Sequence, residues 1–239
     1  MWPDHNIIGG AMSGFLTTMV KLTDTERCDC LLDDDETALP LDDIEEEDYD
    51  EEVDLIEPVR VVFKGGKGYV ASDDADKISQ QGFYGTRTDD NRLELEPVEI
   101  LHLLERKRIA VESVSGEVLG ADDIVTAQLS KDPDLWIRYL VFRDLRSRGY
   151  AVRKGFGSGI GFRVYGRGEK PGTSSANQLV YVLKEGVPIS LGELDMVTQT
   201  AANLRKNLVF ALVDQNGEVN FYRVAESTLK NRVGDNNEQ

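Results

Sequence analysis

The sequence predicts an α/β (α+β) protein in which a small N-terminal α+β domain precedes a C-terminal mixed-sheet α/β domain. Three observations support this class. Short apolar runs bounded by glycine, asparagine or aspartate recur, as expected of strands. Longer stretches place apolar residues at helical spacing. A chain of 239 residues also provides enough material for two small cores. We divide the chain into four segments. Residues 1–58 are an acidic leader that we expect to be disordered, 59–130 an N-terminal domain, 131–232 a C-terminal domain and 233–239 a tail.

The N-terminal domain begins with two predicted strands, 59–63 and 69–70, on either side of the glycine-rich turn 64–68. A helix is predicted over 93–109, where apolar residues recur at helical spacing and a proline suits the first turn. Residues 116–126 lead through a loop into a short helix or turn.

The C-terminal domain begins at a predicted helix with Asp132 as N-cap and Pro133 at the first helical position, and Gly149 ends it. The remaining pattern predicts a mixed sheet of about five strands with a second helix. The strands are 150–154, 161–165, 179–183, 208–213 and 218–224, the helix is 194–204, and a hairpin turn lies at 214–217.

The net charge of −17 belongs to the leader. Residues 1–59 hold 19 acidic and 2 basic residues, which leaves 25 of each in 60–239. The almost wholly acidic stretch 33–54 predicts disorder, because it repels itself and has little apolar surface to bury.

Nine basic residues fall between positions 138 and 170, opposed within that stretch only by Asp144 and Glu169. They are Arg138, Arg143, Arg146, Arg148, Arg153, Lys154, Arg163, Arg167 and Lys170. Such a local excess indicates a surface that binds a polyanion.

Several classes of protein are disfavoured. No apolar run approaches the ~20 residues of a membrane span, and the start lacks the features of a signal peptide. Cys28 and Cys30 are too close for an unstrained disulfide and suggest reduced thiols. The glycines of 155–159 lead from strand to strand rather than into a helix, so a nucleotide loop is poorly supported. We expect no metal site and no cofactor.

A succession of motifs in the last third resembles the catalytic domain of the archaeal tRNA-splicing (tRNA-intron) endonuclease family. The motifs are 162–165 (FRVY), 167–172 (RGEKPG), 179–182 (LVYV) and 204–211 (LRKNLVFA). The resemblance covers roughly 60–230 and is strongest from Tyr139 onward. It implies a cytoplasmic enzyme that cleaves precursor tRNA at a bulge–helix–bulge without metal, leaving 2′,3′-cyclic phosphate and 5′-hydroxyl ends.

The resemblance also assigns catalytic roles. Tyr165 occupies the position of the general base that takes the proton of the attacking 2′-hydroxyl. Lys206 occupies that of the residue that stabilises charge on the phosphorane. Ser175, ten residues after Tyr165, occupies the slot of the family histidine that protonates the leaving 5′-oxygen. Taken alone, a tyrosine at a strand end or a lysine at a helix end is commonplace. Their combination with the basic surroundings indicates a site.

The departure at Ser175 bears directly on activity. A serine hydroxyl is far too weak an acid to replace histidine at neutral pH. The two histidines of the chain do not replace it, because His5 lies in the leader and His102 on the predicted N-terminal helix. Gln199 stands where many relatives carry an arginine that grips a bulged base. Three alternatives therefore remain. Within the family, the chain is either a structural or RNA-positioning subunit beside a histidine-bearing partner, or a slow enzyme. Outside it, the chain is an RNA-binding adaptor unrelated to splicing.

The resemblance implies further contacts. Arg163, Arg167, Lys170 and Arg205 are the expected RNA-binding residues. Asp214 and Glu218 belong to an acidic loop that docks into an opposing subunit, and Phe221 and Tyr222 to an edge strand that pairs subunits in a homo- or hetero-oligomer. The leader is an inert solubilising segment, a competitor of RNA, or a stretch upstream of the true start. We expect the Tyr165 phenol and the Lys206 ammonium to converge on one phosphodiester, both open to solvent.

Overall fold

The computed structural model describes residues 15–21, 57–80, 82–157 and 159–228, which form two six-stranded sheets and five helices. The first strand, β1 (Phe15–Lys21), precedes an N-terminal unit and a C-terminal unit, each built around one sheet. The two units correspond to the fold class that the sequence predicts.

The N-terminal unit is an α+β layer with sheet order β4-β5-β3-β2-β6-β7. Its strands are β2 (Val59–Lys64), β3 (Lys67–Val70), β4 (Thr86–Arg87), β5 (Leu93–Leu95), β6 (Ile109–Ser113) and β7 (Val118–Leu119). Its helices are α1 (Ser72–Ser79), α2 (Pro97–Glu105) and α3 (Ala121–Gln128). Neighbouring strands are antiparallel except β2 and β6, which run parallel.

The helix predicted over 93–109 is too long at both ends. Leu93 and Leu95 are buried alternately in β5, which is the two-residue period of a strand. Glu96 has extended backbone (ψ 154°) because the following proline disfavours helical geometry there. Lys107 adopts a left-handed conformation (φ +53°) just beyond the C-terminus. Local backbone constraints therefore confine α2 to nine residues.

The C-terminal unit is a mixed sheet with order β1-β12-β11-β10-β9-β8 and two helices. Its elements are α4 (Leu135–Ser147), β8 (Ala151–Lys154), β9 (Ile160–Tyr165), β10 (Gln178–Lys184), α5 (Leu191–Leu204), β11 (Asn207–Val213) and β12 (Val219–Thr228). Only β10 and β11 are parallel, joined through α5. One face of the sheet packs on α4 and the other on α5.

Helix α4 begins later than the sequence predicts. Asp132 is not its N-cap, because the Asp132 carboxylate pairs with Arg138 while its carbonyl accepts the Leu135 N–H at 3.1 Å. The predicted stop is correct. Gly149 has φ +83°, its N–H donates to Arg146 O, and the Tyr150 N–H donates to Leu145 O, which closes a Schellman motif.

Strand β1 contradicts two expectations. It pairs antiparallel with β12 over seven residues, from Phe15 opposite Thr228 to Lys21 opposite Tyr222. Residues 15–21 of the expected disordered leader are therefore a strand, and β12 is not the edge of the sheet. The acidic stretch 33–54 lies outside the described residues.

The two units share one continuous hydrophobic cluster through α2 and α4. The His102 ring meets Phe142 edge-on at 5.6 Å, and the Tyr139 hydroxyl donates to Glu105 Oε2 at 2.5 Å. This contact holds the N-terminal unit against the C-terminal sheet.

Within the described ranges, no group of three or more His, Cys, Asp and Glu side chains could hold a metal ion. No helix in those same ranges has both the length and the apolar character needed to cross a membrane.

Candidate active site

Lys206 and Ser175, 31 positions apart in sequence, meet at one end of the C-terminal sheet. The Lys206 Nζ donates to Ser175 Oγ at 2.5 Å. A Schellman motif at the end of α5 positions the lysine: the Lys206 N–H donates to Ala201 O and the Arg205 N–H to Ala202 O, both at 3.0 Å. Arg205 adopts a left-handed φ of +52° in this turn, which is a strained conformation for a residue with a side chain. The serine in the histidine slot thus directly contacts the lysine assigned to the phosphorane.

Tyr165 and Lys206 lie at the same end of the C-terminal sheet. Gln178 is in register with Val164 of β9 on one side and with Asn207 of β11 on the other. Tyr165 ends β9 and Lys206 directly precedes β11, so each lies one position from that row, towards the same end of the sheet. Alternation of side chains along β9 places Tyr165 on the opposite face from Val164. Two strand spacings, about 10 Å, separate their backbones. A single phosphodiester between these long side chains is compatible with that separation.

The Tyr165 ring is buried, contrary to the expectation of an open phenol. The residue exposes 6% of its surface and packs with Ala151, Ala176 and Phe83. The sequence could not reveal this cover, because Phe83 comes from the N-terminal unit. The hydroxyl is not among the fully enclosed, unpartnered polar atoms of the described residues, which belong to His102, Arg138 and Arg146.

Arg153 is a partly buried cation near Tyr165, which the sequence analysis counted only as part of the basic stretch. Its guanidinium donates to the Gly85 carbonyl and lies 4.0 Å from the Glu99 carboxylate. Burial lowers the pKa of Arg153, while Glu99 and the Tyr165 phenol act in the opposite direction. Burial also raises the pKa of Glu99. This edge of the sheet is thus electrostatically coupled to the N-terminal unit.

Most of the nine basic residues are engaged within the molecule. Five are in ion pairs: Arg138 with Asp132, Arg143 with Glu105, Arg148 with Asp144, Arg153 with Glu99, and Lys154 with Glu96. Arg153 also donates to the Gly85 carbonyl, and the Arg146 guanidinium lies 4.3 Å above the Tyr84 ring. Several of these partners come from the N-terminal unit, outside the stretch in which the sequence analysis counted charges.

The remaining cations surround the candidate site. Within the described residues, no acidic side chain forms an ion pair with Arg163, Arg167, Lys170, Arg205 or Lys206. Arg167, Lys170 and Arg205 are exposed. The polyanion-binding surface that the sequence predicts is therefore smaller than expected and centred on the end of β9 and the start of β11.

The acidic loop is organised by Asp214. One of its carboxylate oxygens accepts the N–H groups of Asn216 and Glu218, both at 2.8 Å. Asp214 therefore shapes the turn, while the Glu218 side chain is exposed. Phe221 is buried with the Arg148 guanidinium 5.2 Å from its ring, and Tyr222 is half-buried. The expectation that these two belong to an open edge strand is wrong, because β1 covers β12.

His102 and Gln199 take structural positions. His102 is buried in α2, and burial lowers its pKa to about 4. Gln199 is exposed on α5 and donates to Asp195 Oδ2 at 2.8 Å. Neither residue lies in the Lys206–Ser175 contact.

Two family models match the chain. The tRNA intron endonuclease catalytic C-terminal domain matches residues 135–221, and the N-terminal domain of the same enzymes matches residues 59–125. Among curated relatives, each named tRNA-splicing endonuclease, the protein of Methanococcoides burtonii is 37% identical over 152 residues, 64% of this chain and 42% of the relative. The Pyrococcus horikoshii protein is 31% identical over 168 residues, 70% of this chain and 95% of the relative.

The length of the match differs among relatives. The chain spans less than half of the Methanococcoides burtonii protein and 48% of the Methanosarcina mazei protein, which is 30% identical over 175 residues. It spans 76% of the Methanococcus vannielii protein, at 35% identity over 135 residues. The matched regions coincide with the two sheet-centred units.

Proposed function

Because this chain belongs to the tRNA intron endonuclease family, we propose that it is a subunit of a cytoplasmic tRNA-splicing endonuclease that acts on precursor tRNA at a bulge–helix–bulge. The Lys206–Ser175 contact beside the Tyr165 strand end carries the proposal. The unpaired cations around it supply the charge that an RNA backbone requires.

The proposed reaction is an internal transesterification without metal. The Tyr165 oxygen takes the proton of a 2′-hydroxyl, whose oxygen attacks the adjacent phosphorus. The Lys206 ammonium stabilises the charge that develops on the phosphorane oxygens. The bond from phosphorus to the 5′-oxygen breaks, which leaves a 2′,3′-cyclic phosphate and a 5′-oxygen that must gain a proton.

The protonation of that leaving oxygen is the weak step in this chain. Ser175 fills the slot, and its hydroxyl accepts from Lys206 rather than offering an acidic proton. Loss of a general acid costs roughly 10²–10⁴ in rate. The alternative function is therefore a catalytically degenerate subunit that positions RNA for a histidine-bearing partner, and the buried Tyr165 ring also favours it.

Assembly with other family subunits is part of the proposal. The exposed Glu218 side chain, on a turn fixed by Asp214, is suited to a basic surface of another subunit. Pairing along β12 requires β1 to leave that strand first, because β1 occupies its outer side.

The test is cleavage of a bulge–helix–bulge transcript in EDTA by wild type and Lys206→Ala. Lys64→Ala is the matched control, since Lys64 is an exposed lysine at the end of β2. Wild type that cleaves at the bulges supports an enzyme if the cleavage rate falls about 100-fold or more in Lys206→Ala but not in Lys64→Ala. Cyclic phosphate ends support the proposed chemistry, and a magnesium requirement contradicts it.

The other outcomes identify the alternatives. Absence of cleavage with tighter binding to the bulge–helix–bulge than to a duplex of equal length supports the degenerate subunit. Equal binding to every structured RNA, without a histidine-bearing relative in the purified complex, supports an adaptor unrelated to splicing.

A further inference from the structure

A hollow of about 350 Å³ lies beside the end of β9, between the two units. Its walls include Phe83, Arg146, Tyr150, Gly166 and Lys170. Gly166 directly follows Tyr165 in the chain, and Ala151, another wall residue, is the register partner of Tyr165. The volume falls within the range of small-ligand sites, and the location is next to the candidate phenol.

Two aromatic rings line the hollow, and a guanidinium from outside it lies against one of them. The Arg167 guanidinium carbon lies 5.7 Å from the centroid of the half-buried Tyr150 ring. Phe83 contributes a second ring and is held at φ +58°, a conformation that a bulky residue rarely adopts. Strain of this kind persists only where the surroundings impose it, and it concentrates at functional sites.

Arg146 forms a fixed cationic wall. Its Nη1 donates to the Tyr150 carbonyl at 3.1 Å, and its guanidinium carbon lies 4.3 Å from the Tyr84 ring. Its Nε is buried without a hydrogen-bond partner in the described part of the chain. A side chain on Gly82 would overlap this guanidinium, so glycine allows the close approach.

The acidic residue of the hollow is already engaged. Glu169 Oε2 accepts the Gly166 N–H at 2.9 Å, which closes the turn after Tyr165. Lys170 is exposed and has no ion pair among the described residues. The hollow therefore combines flat π surfaces with net positive charge.

We propose that this hollow binds an unpaired nucleobase of the RNA next to the cleaved phosphodiester. Unpaired RNA bases stack on aromatic rings and arginine planes, while their phosphates favour nearby cations. Tyr150 and Phe83 provide the ring surfaces, with Arg167 against the Tyr150 ring, while Arg146 provides a cationic wall and Lys170 the phosphate contact. The inference rests on the proposed function, and it assigns base recognition to a place other than the Gln199 position.

The experiment measures binding of a bulge–helix–bulge RNA with 2-aminopurine at one unpaired position per preparation and a 2′-deoxy sugar at each cleavage site. A fully paired duplex of equal length is the reference RNA. The variants are Tyr150→Leu, which removes the ring, Tyr150→Phe, which keeps it, and Arg167→Gln. Arg60→Gln is the control, because Arg60 is an exposed arginine of β2 that pairs with Glu112. Urea denaturation and light scattering report folding and oligomeric state.

We expect Tyr150→Leu to weaken bulge binding roughly 5- to 100-fold and to abolish the fluorescence change of one 2-aminopurine position. Tyr150→Phe should bind like wild type, and Arg167→Gln should weaken bulge binding severalfold. Tyr150→Leu and Tyr150→Phe should bind the duplex within about 2-fold of Arg60→Gln, whereas Arg167→Gln should lose more binding to the bulge RNA than to the duplex. The exposed Arg167 keeps the test available if Tyr150→Leu does not fold.

Three results would overturn the inference. These are unchanged bulge binding by both Tyr150→Leu and Arg167→Gln, an equal loss on both RNAs, or a changed oligomeric mass with unchanged RNA binding. The last identifies the hollow as a protein contact. Failure of the proposed function looks different, because wild type itself would then not distinguish the bulge RNA from the duplex.

Discussion

Replacement of Ser175 by histidine should restore the missing proton donor. Ser175 is exposed, and its Oγ lies 2.5 Å from Lys206 Nζ, so an imidazole at this position fits at the surface beside the ammonium. General-acid catalysis contributes roughly 10²–10⁴ in rate, or about 3–5 kcal/mol of barrier. We therefore expect Ser175→His to accelerate single-turnover cleavage of a bulge–helix–bulge transcript by about 100-fold or more.

The pH dependence of that gain follows from the neighbouring charge. The Lys206 ammonium disfavours a second cation, so the pKa of the new imidazole should lie below the usual value of ~6.5. The donor must be protonated, so the gain is largest below this pKa and fades as the pH rises through it. In Ser175→His/Lys206→Ala the fading should move to higher pH.

The assay needs a control for loss of the hydroxyl and a control for assembly. Ser175→Ala removes the Lys206 contact without adding an acid and should give no acceleration. Each variant is measured alone and with a histidine-bearing family subunit. If Ser175→His gains nothing in either setting, the assignment of position 175 to the histidine slot is wrong.

Three further predictions concern the fold. Relative to His102→Leu, wild type should lose about 2 kcal/mol of unfolding free energy between pH 8 and pH 5 in urea titrations. The pKa of His102 is about 4 when folded and ~6.5 when unfolded, so only the unfolded chain takes up the proton in that window. A difference between the two proteins that does not change with pH contradicts this. Arg205→Gly should raise the unfolding free energy by about 0.5–1 kcal/mol, since glycine accepts a φ of +52° without strain. Arg205→Ala keeps the backbone strain and should not be stabilised. Equal stabilities of the two variants would show that backbone strain at this position is not the cause. The double variant Thr17→Pro/Thr18→Pro should release β1 from β12, because one of two successive amides in a strand donates to its neighbour and proline has no N–H. Light scattering should then show dimers whose population rises with concentration. A protein that stays monomeric argues against β12 as a pairing strand.

The sequence predicts well what depends on local pattern. Alternating apolar residues, Gly149 and the turn at 214–217 define most of the C-terminal sheet and its helices, because each signal acts within a few residues. The adjacent, in-register strands β9, β10 and β11 bring the strand ends next to Tyr165 and Lys206 to the same end of the sheet, while the roles of Tyr165, Ser175 and Lys206 stay predictions. The helix over 93–109 shows the limit, since the backbone around Pro97 and Lys107 shortens it.

The sequence does not predict contacts between distant segments. Phe83 covers Tyr165, Glu96 and Glu105 pair with cations of the basic stretch, and β1 covers β12. Charge counted within one window overestimates the free basic surface whenever partners come from another domain. The hollow at Tyr150 is equally invisible, because its walls come from both units.

The account depends on the Tyr165 hydroxyl and the Lys206 ammonium acting on the same bond. The direct test is a double-mutant cycle of Tyr165→Phe and Lys206→Ala in single-turnover cleavage, in the Ser175→His background. Tyr165→Phe keeps the buried ring and removes only the oxygen, so folding should be preserved. We expect each change to slow cleavage by about 100-fold or more, and the double change to cost less than the product of the two, as for residues that act as a unit. A Tyr165→Phe variant that cleaves at the full rate would contradict the account.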